Sequence, residues 1–143
     1  MFERILLPIS GSEESIVASE FAIKLATVHK SIIFAMTVVD TSAVRQIARV
    51  SGKTPGEVEI DLEENGWHHL YYIEELAKDS AVRINLMLEL GLPQEKILRK
   101  AKDLKVDLII LGQTSKRGMP GISLDRFVQS ILEQAPCPVL TIK

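Results

Sequence analysis

Apolar residues along the chain fall into two alternating kinds of run, and their order sets the architecture. Continuous apolar stretches occur at Arg4-Ile-Leu-Leu-Pro-Ile9, at Ile32-Ile-Phe-Ala-Met-Thr-Val-Val39 and at Asp107-Leu-Ile-Ile-Leu111. Short runs of this kind, rich in Ile, Val and Leu, are what a parallel sheet buries on both faces. Val82, Ile84, Leu86, Leu88 and Leu90 instead alternate with Arg83, Asn85, Met87 and Glu89, so the third strand is expected at an edge with one face exposed. Val139-Leu-Thr-Ile142 is a last short strand.

Helical spacing fills the gaps between these runs. Ser10-Gly-Ser-Glu13 resembles a capping box opening a helix from Glu14 to His29, in which Val17, Phe21, Leu25 and Val28 form the expected core stripe. Asp40 to Glu57 is read as a connection with a short helix over Ala43 to Val50, followed by a helix through Trp67, Leu70, Ile73, Leu76 and Ala77. Pro93 starts the next helix, which carries Ile97, Leu98, Ala101 and Leu104. After the loop Gly112 to Gly121, Ser123 is a candidate N-cap for a helix bearing Leu124, Phe127, Val128, Ile131 and Leu132. Pro136-Cys-Pro138 stops that helix.

The sum is an α/β chain with a five-stranded parallel doubly wound sheet and helices on both faces. With the third and last strands at the edges, right-handed crossovers give the order 3-2-1-4-5, whose reversal lies between strands one and four. Ligands of such sheets bind at that reversal. The loops converging there, Ser10-Gly-Ser12 and Gly112 to Gly121, both carry glycine.

Composition narrows the function classes. A chain of 143 residues, 46% apolar and 25% charged, suits one domain over 1–143 with a substantial core. Its net charge of -2 gives no reason to expect a nucleic-acid or membrane-surface partner. One cysteine forms no internal disulfide, and the N-terminus enters a strand without a cationic-then-apolar leader, so a cytoplasmic location is expected. No apolar run approaches the roughly 20 residues of a membrane helix.

Four stretches carry a resemblance. Ile5-Leu-Leu-Pro-Ile-Ser-Gly-Ser-Glu-Glu-Ser15, Val38-Val-Asp40, Asp107-Leu-Ile-Ile-Leu-Gly112 and Ala135-Pro-Cys-Pro-Val-Leu140 are similar to signatures of the universal stress protein family, over essentially the whole chain. The resemblance implies the five-stranded sheet above, of the adenine nucleotide alpha hydrolase-like kind, and a dimer whose last strands pair. Some members bind ATP at the switch point and others do not.

The ATP-binding members carry Gly-x-x-Gly, nine residues, then Gly-Ser or Gly-Thr. Laid from Gly112, this chain keeps the first glycine but has Ser115 at the second and Asp125-Arg126 at the closing pair. Ser10 stands where the family's first-strand aspartate would meet the nucleotide. A carboxylate beside phosphate at about 4 Å costs up to ~4 kcal/mol at an effective dielectric of ~20, enough to weaken binding about a thousandfold. The resulting expectation is a non-catalytic homodimeric regulatory module of the stress response, requiring no cofactor and contacting other proteins. Asp125, Arg126, Lys116 and Ser10 would fill its nucleotide crevice.

The alternative is a switch that binds ATP or another adenine nucleotide with slow or no hydrolysis. The crevice residues for either reading are Pro8, Ile9, Ser10, Val38, Gly112, Ser115, Lys116, Gly118, Asp125 and Arg126. An enzyme of the wider adenine-nucleotide hydrolase group is a third reading. The dimer is expected through Val139, Leu140, Thr141 and Ile142, an uncovered apolar edge.

Smaller signals have plain explanations. Ser51-Gly-Lys-Thr54 ends like a P-loop, but Ile47 occupies its first glycine position and no apolar strand precedes it. Ser10-Gly-Ser-Glu-Glu-Ser15 is near the loop of ATP pyrophosphatases, yet a helix cap explains it without a second domain. His68 and His69 are adjacent on a helix and point apart, so both read as solvated. Cys137 reads as a small core residue. Lys116-Arg117 is a solvated pair or an anion contact, and the crevice loops offer no histidine or carboxylate pair for acid-base work.

Overall fold

The computed structural model describes residues 1–113 and 122–143, with the side chains of 122–125 outside the description. Its strands are β1 (Arg4–Pro8), β2 (Ile32–Asp40), β3 (Arg83–Gly91), β4 (Leu108–Gly112) and β5 (Val139–Ile142). Between them run α1 (Glu13–His29), α2 (Thr41–Ser51), α3 (Pro55–Asp79), α4 (Pro93–Asp103) and α5 (Ile122–Gln134). The sheet is parallel in every pairing and has the order β3-β2-β1-β4-β5, as the pattern of apolar runs requires.

Strand pleating divides the core into two layers. Ile5, Leu7, Ile33 and Ile110 face one side, against Ala18 and Ala22 of α1 and Leu70 and Ile73 of α3. Leu6, Met36, Ile109 and Leu111 face the other, against Ile97 and Ala101 of α4 and Ile131 of α5. Each fully buried Ile or Leu contributes about 1.5–3 kcal/mol over leaving it in water. A third, smaller cluster of Val39, Val44 and Val58 ties α2 and α3 to the end of β2.

Helix α1 lies on the sheet in a different rotation from the one its large residues suggest. Val17, Phe21 and Val28 are 45%, 40% and 77% exposed, whereas Ser15, Ala18, Ser19, Ala22, Ile23 and Ala26 are buried. Leu25 alone of the expected stripe packs against the core. Small residues win because the helix sits so close to the sheet that larger ones have no room. At Gly112 an added Cβ would collide with the Glu14 carbonyl group and lie 2.8 Å from the Ser15 amide nitrogen. Leu132 of α5, also expected to face the sheet, is half exposed, because Phe127 and Ile131 define the buried face.

Several ends move by a few residues. The cap of α1 is Ser12, two residues after the expected Ser10, and its hydroxyl accepts from the Ser15 amide. Asp40 caps α2 through Oδ1, which accepts from the amides of Ser42 and Ala43. Gly52 closes α2 in a left-handed conformation, and Thr54 with Glu57 forms the capping box of α3. The Ser51 to Thr54 segment is thus one helix end and one helix start, not a phosphate loop. Ser123 falls inside α5 rather than at its cap. Among the described residues, no helix is long and apolar enough to cross a membrane.

Candidate functional site

The site grows from the anchoring of the β1 exit. Pro8 closes the strand, and the Ile9 amide donates to the Met36 carbonyl at 2.7 Å. The buried Thr37 hydroxyl donates to the Ile9 carbonyl, also at 2.7 Å, so the loop is held to β2 on both sides of the peptide. Ser10 then turns the chain: its amide donates to Ser15 Oγ at 3.1 Å, and its hydroxyl lies 3.0 Å from Ser12 Oγ. The Ser10 hydroxyl is engaged in the helix cap, a neutral group at the mouth of the crevice. Gly11 follows with φ +81, a conformation glycine adopts without strain.

A cavity of about 430 Å³ opens above the carboxyl ends of β1, β2 and β4, at the point where the strand order reverses. Pro8, Ile9, Ser10, Val38 and Gly112 all line it, so these five expected site residues are brought together. Arg126 is exposed on α5 and is not part of the lining. Ser115, Lys116 and Gly118, with Arg117, lie outside the described residues. So does the side chain of Asp125, whose backbone belongs to α5.

The walls differ in character. Val39, Ala43, Ile47 and Leu62 make an apolar lobe on the β2 side, roofed by α2 and α3. Pro93, Ile97 and Phe127 close the opposite side from α4 and α5. Gly112 borders the cavity, and the space its Cβ would need is taken by the first turn of α1. Backbone packing against α1 is by itself a reason for glycine at this position.

Five polar residues of the lining were not among the expected ones: Ser15, Thr37, Asp40, Asn65 and His69. Asp40 is committed through Oδ1 to the start of α2 and to the Ser42 hydroxyl at 2.6 Å. His69, expected in solvent, is half buried, and its ring packs on Gly11, where an added Cβ would come within 2.7 Å of Nδ1 and Nε2. His68 is exposed, so the two imidazoles do point apart. A signal for this was available in the helical stripe Leu62, Gly66 and His69. A glycine in mid-helix marks close approach of another element, and at Gly66 an added Cβ would sit 2.9 Å from Thr37 Cγ2.

Shifted acidities lie away from this lining. Hydrogen bonding to Asp61, then its charge, raises the proton affinity of exposed Lys53. Burial, then the charge of Asp107, raises that of the Cys137 thiol. Cys137 is half buried and packs on the β-sheet layer beside α5. Among the described residues, no group of three or more His, Cys, Asp or Glu is placed to hold a metal ion.

Comparison with known proteins follows the same outline. The model of the Universal stress protein family matches residues 1–143. Universal stress protein MJ0531 of Methanocaldococcus jannaschii is 31% identical over 144 residues, spanning 100% of this chain and 83% of that one. The solved structure of MJ0577 from the same organism superposes with a TM-score of 0.85 at 23% identity, covering 100% of this chain and 96% of that one. An Arabidopsis thaliana universal stress protein family member with AMP bound superposes with a TM-score of 0.67 at 19% identity, covering 99% and 91%. At those identities the two structures speak for the fold, while the sequence matches carry the assignment: the chain belongs to the universal stress protein family.

Proposed function

We propose that this chain acts by binding, as a single domain over 1–143 that works as a cytoplasmic homodimer and receives an adenine nucleoside or its monophosphate in the crevice. The observation that carries the reading is the cavity at the strand-order reversal, with apolar residues lining its β2 side. Its volume of about 430 Å³ falls in the range of small-molecule sites, about 300–1,000 Å³. The AMP-bound relative supports a nucleotide of this size in this fold.

A triphosphate suits the crevice less well. Ser10 brings no charge, and the sequence replaces the phosphate-loop glycines with Ser115 and Asp125. Binding without turnover fits the commitment of Asp40 to a helix cap, which leaves that carboxylate poorly placed to act as a base. No cofactor is required in this reading. Stress response is the setting the family implies, with the ligand-loaded dimer presenting a surface to other proteins.

Calorimetric titration with AMP and ATP, beside mass spectrometry of small molecules released from the denatured protein, tests the proposal. AMP is expected to bind more tightly than ATP, with no phosphate released on prolonged incubation. Absence of AMP binding, or steady conversion of ATP, overturns it.

A further inference from the structure

Helix α3 contributes a face to the crevice that no phosphate-binding motif accounts for. Leu62, Asn65, Gly66 and His69 all border the cavity, and their spacing places them on one side of the helix. Gly66 lets that side settle against Thr37 and Leu88. Neither the Asn65 carboxamide nor the His69 imidazole has a hydrogen-bond partner among the described residues. Asn65 is exposed and His69 half buried, and both border the same cavity as Val38, Ala43 and Leu62, whose apolar surface suits the faces of a planar ring.

Resting on the adenine-nucleotide reading above, we propose that Asn65 and His69 are specificity residues that read the edge of the bound base. A carboxamide offers one donor and one acceptor side by side. That pair complements the amino group and adjacent ring nitrogen of adenine, whereas guanine presents two acceptors on the same edge. His69, whose ring edge packs on Gly11, would supply a further ring nitrogen from the next turn of the same helix face. The two residues would therefore favour adenine over guanine rather than act on phosphate.

Titrations of the full chain with AMP and GMP decide the matter. Wild type is expected to prefer AMP at least tenfold. Asn65→Ala and His69→Ala are each expected to weaken AMP binding about five- to tenfold, the loss of one uncharged hydrogen bond, while changing GMP binding little. Asn65→Asp, which keeps the side-chain shape but removes the donor, is expected to shift the preference toward GMP, because guanine can turn a two-donor edge to a carboxylate. Urea midpoints matching wild type establish that the variants fold. If wild type binds AMP and the AMP-to-GMP ratio is unchanged in all three variants, the proposal is overturned while the adenine reading stands; if wild type binds no AMP, both fall.

Discussion

Gly112 at the end of β4 lies directly against the backbone of Glu14, in the first turn of α1, with the Ser15 amide nitrogen 2.8 Å from where a Cβ would stand. One missing methyl group therefore sets how closely α1 approaches the sheet beside the crevice. Gly112→Ala is expected to destabilise the fold by about 1–3 kcal/mol, the usual cost of overpacking against backbone that cannot move away. Urea denaturation checks this, and an unchanged midpoint would show that α1 can lift without penalty.

The rotation of α1 predicts a contrast between neighbouring residues. Ala22 is fully buried, while Phe21 is 40% exposed. Ala22→Leu is expected to cost about 1–3 kcal/mol through overpacking, and Phe21→Ala about 1 kcal/mol or less. Paired thermal melts would reverse that order if the large residues were the ones facing the sheet.

Dimerisation through β5 can be tested at the outward side of the strand. Pro138 and Ile142 accept from β4 through their carbonyls, from the amides of Ile109 and Gln113, so the alternate residues Val139 and Thr141 turn their peptide groups away from the sheet. Thr141→Pro removes an outward donor without touching the β4 ladder. Light scattering is expected to report monomers for this variant and dimers for wild type. A dimeric Thr141→Pro protein would place the interface elsewhere.

Cys137 gives a pH dependence whose sign follows from burial. Its proton affinity is raised in the fold, first by burial and then by Asp107. Below the ordinary thiol range both folded and unfolded chains hold the proton, and the fold keeps its full stability. As pH climbs through that range the unfolded thiol ionises first, so stability declines until the folded thiol ionises too. Cys137→Ser is expected to remove this decline, seen as urea midpoints from pH 7 to 10. Iodoacetamide is likewise expected to modify the folded thiol more slowly than an exposed one at pH 8.

The sheet was legible because continuous and alternating apolar runs distinguish interior strands from the β3 edge, and short connections leave few ways to order them. Rotation of α1 was not, since that helix is apolar on two sides. Choosing between a Val-Phe-Val stripe and an Ala-Ser stripe depends on how near the sheet comes. That distance is set by Gly112, more than eighty residues away in sequence. On the site, the β1 and β4 exits were readable from strand order, so Pro8, Ile9, Ser10, Val38 and Gly112 converge as expected. His69 escaped because its contact with Gly11 joins two segments with no local pattern in common. Only the glycine at position 66 hinted that this stretch of helix presses against something.

Asp40 ends β2, starts α2 and borders the cavity, so one carboxylate belongs to three parts of the molecule. Its two oxygens are unequal: Oδ1 holds the opening turn of α2 through the amides of Ser42 and Ala43, whereas Oδ2 makes no hydrogen bond among the described residues. A visitor to the chamber can therefore meet the free oxygen while the other keeps the roof helix anchored, so one side chain can serve the wall and the scaffold together.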